Sequence, residues 1–337
     1  MTSGYGGPAG GRSYTLTVRR PYLVLSAVTV GWGTIPVIAG QADLPSPLIV
    51  AIRLWTATLC LGAVMLAGSR RDRRLGSQSE PPPLYSVHPV RAALAAALLA
   101  VHWLALFAAY KRAPAGTVIL IVYLAPIGIA ALAPTLLKER VGRRTTLALA
   151  AATAGFGLIA GPTARAAGLS GLLLALVAAV LFAALIMVSK PLATAYGGLR
   201  LAFIELSGAG LVLVPIALAT HWPAPQVAWL WIVLLGVVHT ALGIAVYLSV
   251  LAELPATHVG ILGYLEPVAV VLFAWVWLGQ QPTWLAALGG VLVILAGVAT
   301  VFTRPSPPGR RREVDAANGR LGTTVGRGDR VGGRDEQ

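Results

Sequence analysis

Charge is what this chain has least of. Asp, Glu, Lys and Arg make up 11% of its 337 residues, where a soluble domain averages about 25%. There is one cysteine, Cys60, so no intramolecular disulfide can form and cysteine usage assigns no redox compartment. Acid is scarcer than base, and every aspartate (Asp43, Asp72, Asp315, Asp329, Asp335) stands in a polar connecting or terminal stretch. Paired-aspartate chemistry inside the apolar runs is thereby excluded. No two of the five histidines (His88, His102, His221, His239, His258) lie four apart, so the H-E-x-x-H pattern that sets two imidazoles on one helix face for zinc is missing. The G-x-S-x-G nucleophile turn and the phosphate-cradling G-x-x-x-x-G-K-[ST] loop are absent too. These absences argue against an enzyme; no catalytic residue, metal site or cofactor is assigned. Neither an ion-selective filter nor an arginine-rich voltage sensor is legible, so a channel has no support either.

What the chain has is hydrophobic length. Its residues are 57% hydrophobic, its mean hydropathy is +0.77, and apolar runs near 20 residues recur, each enough to cross about 30 Å of hydrocarbon. Stretches such as 92–99 and 172–181 do not alternate polar with apolar, which excludes a β-barrel. The pattern predicts an all-α membrane protein with ten spans: 21–39, 47–67, 91–110, 117–137, 145–160, 169–187, 199–219, 227–248, 259–278 and 284–302. Residues 1–20 and 303–337 carry few large apolar side chains and are expected to be disordered. Arg19-Arg20 ahead of the first run resembles a secretory or twin-arginine signal, but nine further spans favour an uncleaved helix.

The net charge of +14 would suggest a nucleic-acid partner in a soluble chain. Here it reads as topology. With the N-terminus inside, 22 of the 26 basic residues fall on the inner side, so both termini are predicted cytoplasmic and the partners are membrane lipid and a small molecule, not nucleic acid. Lys111 and Arg112, on a short outer loop, are the exception.

An internal repeat adds the strongest signal. Displacing the chain by 141 residues aligns 114–137 with 255–278 without a gap, with eight identities in 24 positions, among them Tyr123/Tyr264, Leu124/Leu265 and Pro126/Pro267. Five spans per unit is an odd number, so residues 21–160 and 168–302 must enter the membrane in opposite senses. Inverted repeats of this kind are a recurrent design of secondary transporters, whose halves rock about a shared central site.

Several stretches resemble the EamA-type branch of the drug/metabolite transporter superfamily: Gly31-Trp32-Gly33 in the first span, Arg53 in Ile52-Arg53-Leu54-Trp55, Leu124-Ala125-Pro126 followed by Glu139-Arg140, and Leu265-Glu266-Pro267 in the second unit. The resemblance covers about residues 21–302. It implies two inverted five-helix repeats, a bacterial cytoplasmic-membrane location, and export, less often import or facilitated passage, of small metabolites such as amino acids or drug-like compounds. One departure stands out, since Gln280 replaces the glutamate usual in the second repeat, 13 residues after Pro267 as Glu139 is 13 after Pro126. Glu139 is expected at a helix end, paired in its loop with Arg140 and Arg143.

Ionisable groups inside a bilayer cost roughly 2.5–3.5 kcal/mol each on insertion scales, so each needs a partner, a wet cavity or a task. Five lie within spans: Arg53, His102, Glu205, His239 and Glu266. Glu266 precedes Pro267, whose missing N–H frees a carbonyl one turn earlier, and a carboxylate beside free carbonyls suits an ammonium group or a proton. His102 and His239, near the middle of the third and eighth spans, are candidates for proton relay. Arg53 suits a substrate carboxylate or an interhelical contact, and Glu205 reads as structural. Trp32, Trp103, Tyr123 and Tyr264 are candidate cavity-lining aromatics, and Pro126 and Pro267 candidate hinges. The expected cavity draws on the first, third, fourth, sixth, eighth and ninth spans. Gly289, Gly290 and Gly297 suit close helix approach, within the chain or across a homodimer.

Overall fold

In the computed structural model the described residues are 11–41, 44, 46–74, 88–164, 167–220 and 229–302; the expected disorder of 1–10 and 303–337 lies outside them. Every regular element among them is helical. Nine helical stretches are long and apolar enough to cross a membrane: Arg19–Gly40, Leu48–Arg71, Pro89–Tyr110, Ala115–Leu137, Leu169–Tyr196, Gly198–Ile216, Trp229–Glu253, Ala256–Leu278 and Trp284–Phe302. The tenth, fifth in chain order, is Arg143–Ala160, 18 residues long and opened by two arginines. The two-unit, ten-helix reading therefore stands.

Four boundaries differ from expectation by five residues or more: the second helix runs on to Arg74 rather than 67 and the eighth to Glu253 rather than 248, and the first and sixth differ further. The first helix begins at Gly11, not Pro21, so residues 11–20 are helical rather than disordered; from Arg12 to Arg20 no glycine or proline interrupts the helix. The sixth helix runs on past Met187 to Tyr196. Ser189 and Lys190 look like a polar terminus in sequence, yet both side chains are partnered inside the bundle: Ser189 donates to Glu205 Oε1 at 2.6 Å, and Lys190 Nζ lies 3.0 Å from Glu139 Oε1.

Three spans are interrupted. The first breaks at Gly33-Thr34 between Gly11–Trp32 and Ile35–Gly40; the fourth breaks at Tyr123-Leu124 between Ala115–Val122 and Ala125–Leu132; the ninth breaks at Tyr264 between Ala256–Gly263 and Leu265–Leu278. Pro36, Pro126 and Pro267 follow these breaks within three residues, and a residue without an N–H cannot close the preceding turn. The eighth span is continuous but widens into a π-helix over Leu235–Leu242.

The 141-residue repeat is preserved in the backbone. Pro114 (φ −57°, ψ 139°) and Pro255 (φ −55°, ψ 136°) start the fourth and ninth spans, and Lys138 (φ 56°) and Gly279 (φ 68°) end them in the left-handed region. Glu139 N–H donates to the Ala133 carbonyl and Gln280 N–H to that of Ala274, each at 3.2 Å. Both spans therefore stop with the same closure, an amide bonded to the carbonyl six residues back, beyond a left-handed residue. The two copies meet where they break: Tyr264 Oη donates to the carbonyl of its own counterpart, Tyr123, at 2.7 Å.

The fifth and tenth helices form one of the most extensive helix pairs. Gly155 and Gly289 lie against each other's carbonyl oxygen, so neither position has room for a β-carbon. The glycine-rich face of the tenth span is thus used inside the molecule, with Gly290 and Gly297 turned toward Val268 and Leu262 of the ninth. One core is built around the second, third and sixth to eighth spans, and a smaller one around Phe156, Ile261, Tyr264 and Val293. Outward faces carry exposed large apolar side chains such as Leu173, Leu176 and Val180, as suits a chain whose surroundings are hydrocarbon.

Candidate functional site

A cavity of about 130 Å³ lies at the breaks. Its walls come from the first span (Thr29, Trp32), the third (His102), the fourth (Tyr123, Pro126), the sixth (Phe182), the eighth (Tyr247) and the ninth (Val259, Gly260, Gly263). These are the six spans expected from sequence. Gly260 is required here because a β-carbon would press on Pro126 at 3.1 Å, so the two broken spans approach closely beside the cavity.

Each candidate can now be placed. Trp32 lines the cavity and its indole Nε1 donates to the His239 carbonyl at 2.8 Å. Two residues on, Thr34 Oγ1 lies 2.8 Å from the Gly31 carbonyl and 2.8 Å from His239 Nε2. A carbonyl only accepts, so the threonine proton goes to Gly31 and His239 donates to Thr34. The break in the first span is thereby bolted to the π-helix of the eighth. His102 lines the cavity beside Phe182 while its Nδ1 donates to the Ala178 carbonyl at 2.8 Å, leaving Nε2 as its acceptor nitrogen.

Arg53 Nε donates to Thr240 Oγ1 at 3.1 Å, and Thr240 in turn donates to the Leu235 carbonyl at 2.8 Å, a bond that follows the π-helical spacing. Across the site, the Tyr123 hydroxyl lies near the Glu266 carboxylate. Arg53, Tyr110 and Tyr247 are all within electrostatic range of that carboxylate. Arg53 and Glu266 are each half-buried, and neither is among the side chains that line the 130 Å³ cavity. Glu205 is bound to Ser189 and buried, away from Arg53, as expected of a structural group.

Two expected wall residues lie elsewhere. Tyr264 is fully buried, held by its bond to Tyr123 and by Thr153 Oγ1 at 3.0 Å, with Phe156 packed against both tyrosines. Trp103 packs against the larger core rather than the cavity. A tyrosine shared by both repeats thus lines the cavity in one copy and fills the helix interface in the other. Glu139 is at a helix end, as expected, but its partner is Lys190 rather than Arg140 or Arg143: Oε2 accepts from the Ala256 N–H at 2.8 Å, capping the ninth span, while Lys190 also donates to the Leu251 and Leu254 carbonyls that end the eighth. Acid at a helix start and base at a helix end is the arrangement the helix dipole favours.

Sequence reasoning missed Thr34, Thr240, Phe182, Tyr247 and Tyr110, which are neither charged nor repeated. It also missed His258, whose Nδ1 lies 2.8 Å from Tyr22 Oη at the end of the ninth span. At the other end of that span a second cavity, about 410 Å³, is lined by Thr34, Ile38, Gln41, Trp231, Trp277 and Leu278. Thr34 and Trp32 thus face different cavities from the two sides of one helix break.

A membrane-spanning helical bundle made of two inverted units, broken at matching points around an internal cavity, defines the class as a membrane transporter. Comparison with known proteins agrees. The sequence profile of the EamA-like transporter family matches residues 19–161 and again 169–303, and the chain belongs to that family. It is 33% identical over 203 residues to a probable terminal-alkyne amino-acid exporter of Streptantibioticus cattleyicolor, covering 59% of this chain and 67% of the relative. An uncharacterized transporter of Bacillus subtilis is 23% identical over 288 residues, 84% of this chain and 88% of the relative. A solved crystal structure superposes with a TM-score of 0.71 at 20% identity over 83% of this chain and 96% of its own, a likeness of fold.

Proposed function

We propose that the protein is a secondary active exporter of small metabolites, amino acids or drug-like compounds, that works by alternating access in the bacterial cytoplasmic membrane with both termini cytoplasmic. The observation that carries the reading is the pair of matched breaks: the fourth and ninth spans interrupt at Tyr123 and Tyr264, one repeat apart and hydrogen-bonded to each other, beside a cavity walled by both halves. Two halves hinged at one place can open the cavity to either side in turn. At one end of the ninth span Glu139 and Lys190 tie the ends of the fourth and eighth spans and the start of the ninth to the body of the sixth, and at the other end lies the 410 Å³ cavity. By the distribution of basic residues the tied end is the inner one, so the arrangement reads as closed to the cytoplasm. No ATP-binding loop is present in the sequence, so the energy would come from a gradient, with Glu266, His239 and His102 the groups able to carry a proton. The relative named as an amino-acid exporter supports the direction and, of the two substrate groups, amino acids.

Purified protein reconstituted in liposomes tests the reading. Saturable flux of metabolites that accumulate in cells lacking the protein is expected, with strong loss in Glu266→Gln and His239→Ala. Flux that rises linearly with concentration, or that is unchanged in both variants, would overturn it.

A further inference from the structure

The second and third spans both pack along the seventh, but the three part company at the end that the distribution of basic residues makes the outer one. Nearer the middle, the third and seventh lie so close that a β-carbon on Gly208 would come within 2.5 Å of that of Ala96. Five residues further along the seventh span that contact has opened. A third cavity, about 270 Å³, lies there between Val50 of the second span, Leu104 and Phe107 of the third, and Leu213 and Ile216 of the seventh. Pro215, inside the seventh helix, lacks the N–H that would tie this last stretch to the turn before it. Leu213 is buried, whereas Ile216 belongs to the exposed apolar surface. The cavity is thus a groove that reaches from the interior to the hydrocarbon-facing side.

The groove ends in charge. Lys111 and Arg112, just past the end of the third helix, complete its wall, and they are the two cations that break the inward bias of the basic residues. Both are exposed, and among the described residues neither has a carboxylate within 4.0 Å. Arg112 Nη1 donates back to the carbonyl of Ala108, another wall residue, at 3.0 Å. A guanidinium has five N–H donors, and this bond ties it beside the groove at the expense of one. The shared frame does not call for the pair, since one repeat further on the same positions are Ala252 and Glu253. The helix dipole favours a cation at a helix C-terminus, which accounts for Arg112 but not for a second cation beside an apolar groove. From Leu104 to Lys111 the wall is about 10 Å long, at 1.5 Å per residue.

We propose that this groove binds one anionic phospholipid of the outer leaflet, its phosphate on Lys111 and Arg112 and the upper part of an acyl chain along Leu104, Phe107, Leu213 and Ile216. Arginine meets phosphate through paired N–H···O bonds, and lysine adds a point charge. The polar and apolar parts of the site are continuous, so the occupant carries both a negative head and a hydrocarbon chain. A free anion leaves the groove unfilled, and a zwitterionic lipid brings an ammonium group up to two cations. The site lies apart from the central cavity, so its occupancy depends on neither the substrate nor the transporter reading.

The test uses the full-length protein purified in detergent, with bound lipid counted by native mass spectrometry and stability followed by thermal shift. The probes are phosphatidylglycerol and phosphatidylcholine with identical chains, and glycerol 1-phosphate, which has an anionic head and no chain. One retained phosphatidylglycerol is expected, preferred about thirtyfold over phosphatidylcholine, the worth of two cations near an anionic headgroup. Glycerol 1-phosphate should not stabilise the protein at concentrations where phosphatidylglycerol saturates. Lys111→Gln combined with Arg112→Gln should bring the two lipids level. Arg143→Gln combined with Arg144→Gln, at the inner end, should leave the preference unchanged. All four side chains are exposed, so neither double variant endangers folding, and the comparison of lipids on the unaltered protein needs no variant. Equal retention of the two lipids overturns the proposal, as does a preference that survives the outer double variant or falls in the inner one. Stabilisation by glycerol 1-phosphate as strong as by the lipid overturns it too. A dimer that dissociates in the outer double variant, with no preference between lipids, makes the groove an interface between copies and likewise overturns it.

Discussion

The fourth and ninth spans start on prolines of nearly equal dihedral angles, break at equivalent tyrosines and stop on equivalent left-handed residues, whereas the first and sixth spans, also repeat counterparts, diverge. The first breaks at Gly33, while the sixth runs unbroken from Leu169 to Tyr196. The third and eighth spans differ in the same way, one a plain helix and the other widened by a π segment that begins at Leu235. A further departure lies in the last turn of the fourth span, which is π-helical over Ala133–Leu137 while the ninth stays α-helical to Leu278, but the larger ones come together. The broken first span and the widened eighth meet each other, through Trp32 and Thr34 on one side and His239 on the other, and Thr240 of the same segment holds Arg53. The copied parts make a symmetric frame, and the uncopied parts make the asymmetric rim of the cavity. π segments often mark functional sites because the extra residue per turn frees backbone groups and re-aims side chains.

The comparison can be broken most severely where the two units touch without side chains. Gly155→Leu and Gly289→Leu should each cost about 3 kcal/mol, the upper end of overpacking, because a β-carbon at either position meets the other's backbone oxygen; equal falls in melting temperature in detergent are expected. A fall in one only would deny that the contact is reciprocal.

Next comes the position where the units differ in charge. Glu139→Gln removes the partner of Lys190 and weakens the cap of the ninth span, for an expected loss of about 2 kcal/mol and increased labelling of a cysteine placed at Ala256. Gln280→Glu, its counterpart, should stay within about 0.5 kcal/mol, as a surface change does. The twin tyrosines sharpen the contrast further. Tyr264→Phe should lower stability by about 1 kcal/mol, the worth of one hydrogen bond, with saturable transport retained. Tyr123→Phe leaves that bond intact, since Tyr123 contributes its carbonyl, and should instead reduce transport. The smallest effect is at the span ends: Lys138→Gly should stabilise by about 0.5 kcal/mol by relieving a left-handed non-glycine residue, and Gly279→Ala should destabilise by about 1 kcal/mol.

The sequence carried the frame well because the frame repeats. A 141-residue offset with paired Tyr-Leu-x-Pro put Pro126 and Pro267 at equivalent places, and both spans break just ahead of them. The break at Gly33 has no repeated partner to reveal it, and Gly31-Trp32-Gly33 reads in sequence as one more small-residue patch in an apolar run. Long-range polar pairs were hidden for another reason. Lys190 lies 51 residues from Glu139, and Tyr22 lies 236 from His258, so a helix-end acid was assigned to arginines nearby in the chain. Arg53 and Glu266 stand out because charge is rare there, while their neutral neighbours, Thr240 beside Arg53 and Tyr123 near Glu266, gain their places only when the spans are brought together.

The bond from Tyr264 to the carbonyl of Tyr123 has one more consequence, which concerns redundancy. In a molecule made of two related halves, a contact off the symmetry axis has a twin: Gly155 with Gly289 corresponds to Ala296 with Ala148, and both alanines are buried in the same cluster. Damage at one member leaves the other in place. The twin of the Tyr264 bond would run from the Tyr123 hydroxyl to the Tyr264 carbonyl; among the described residues the bond from Tyr264 is the one that forms, so this joint between the halves has no spare copy there.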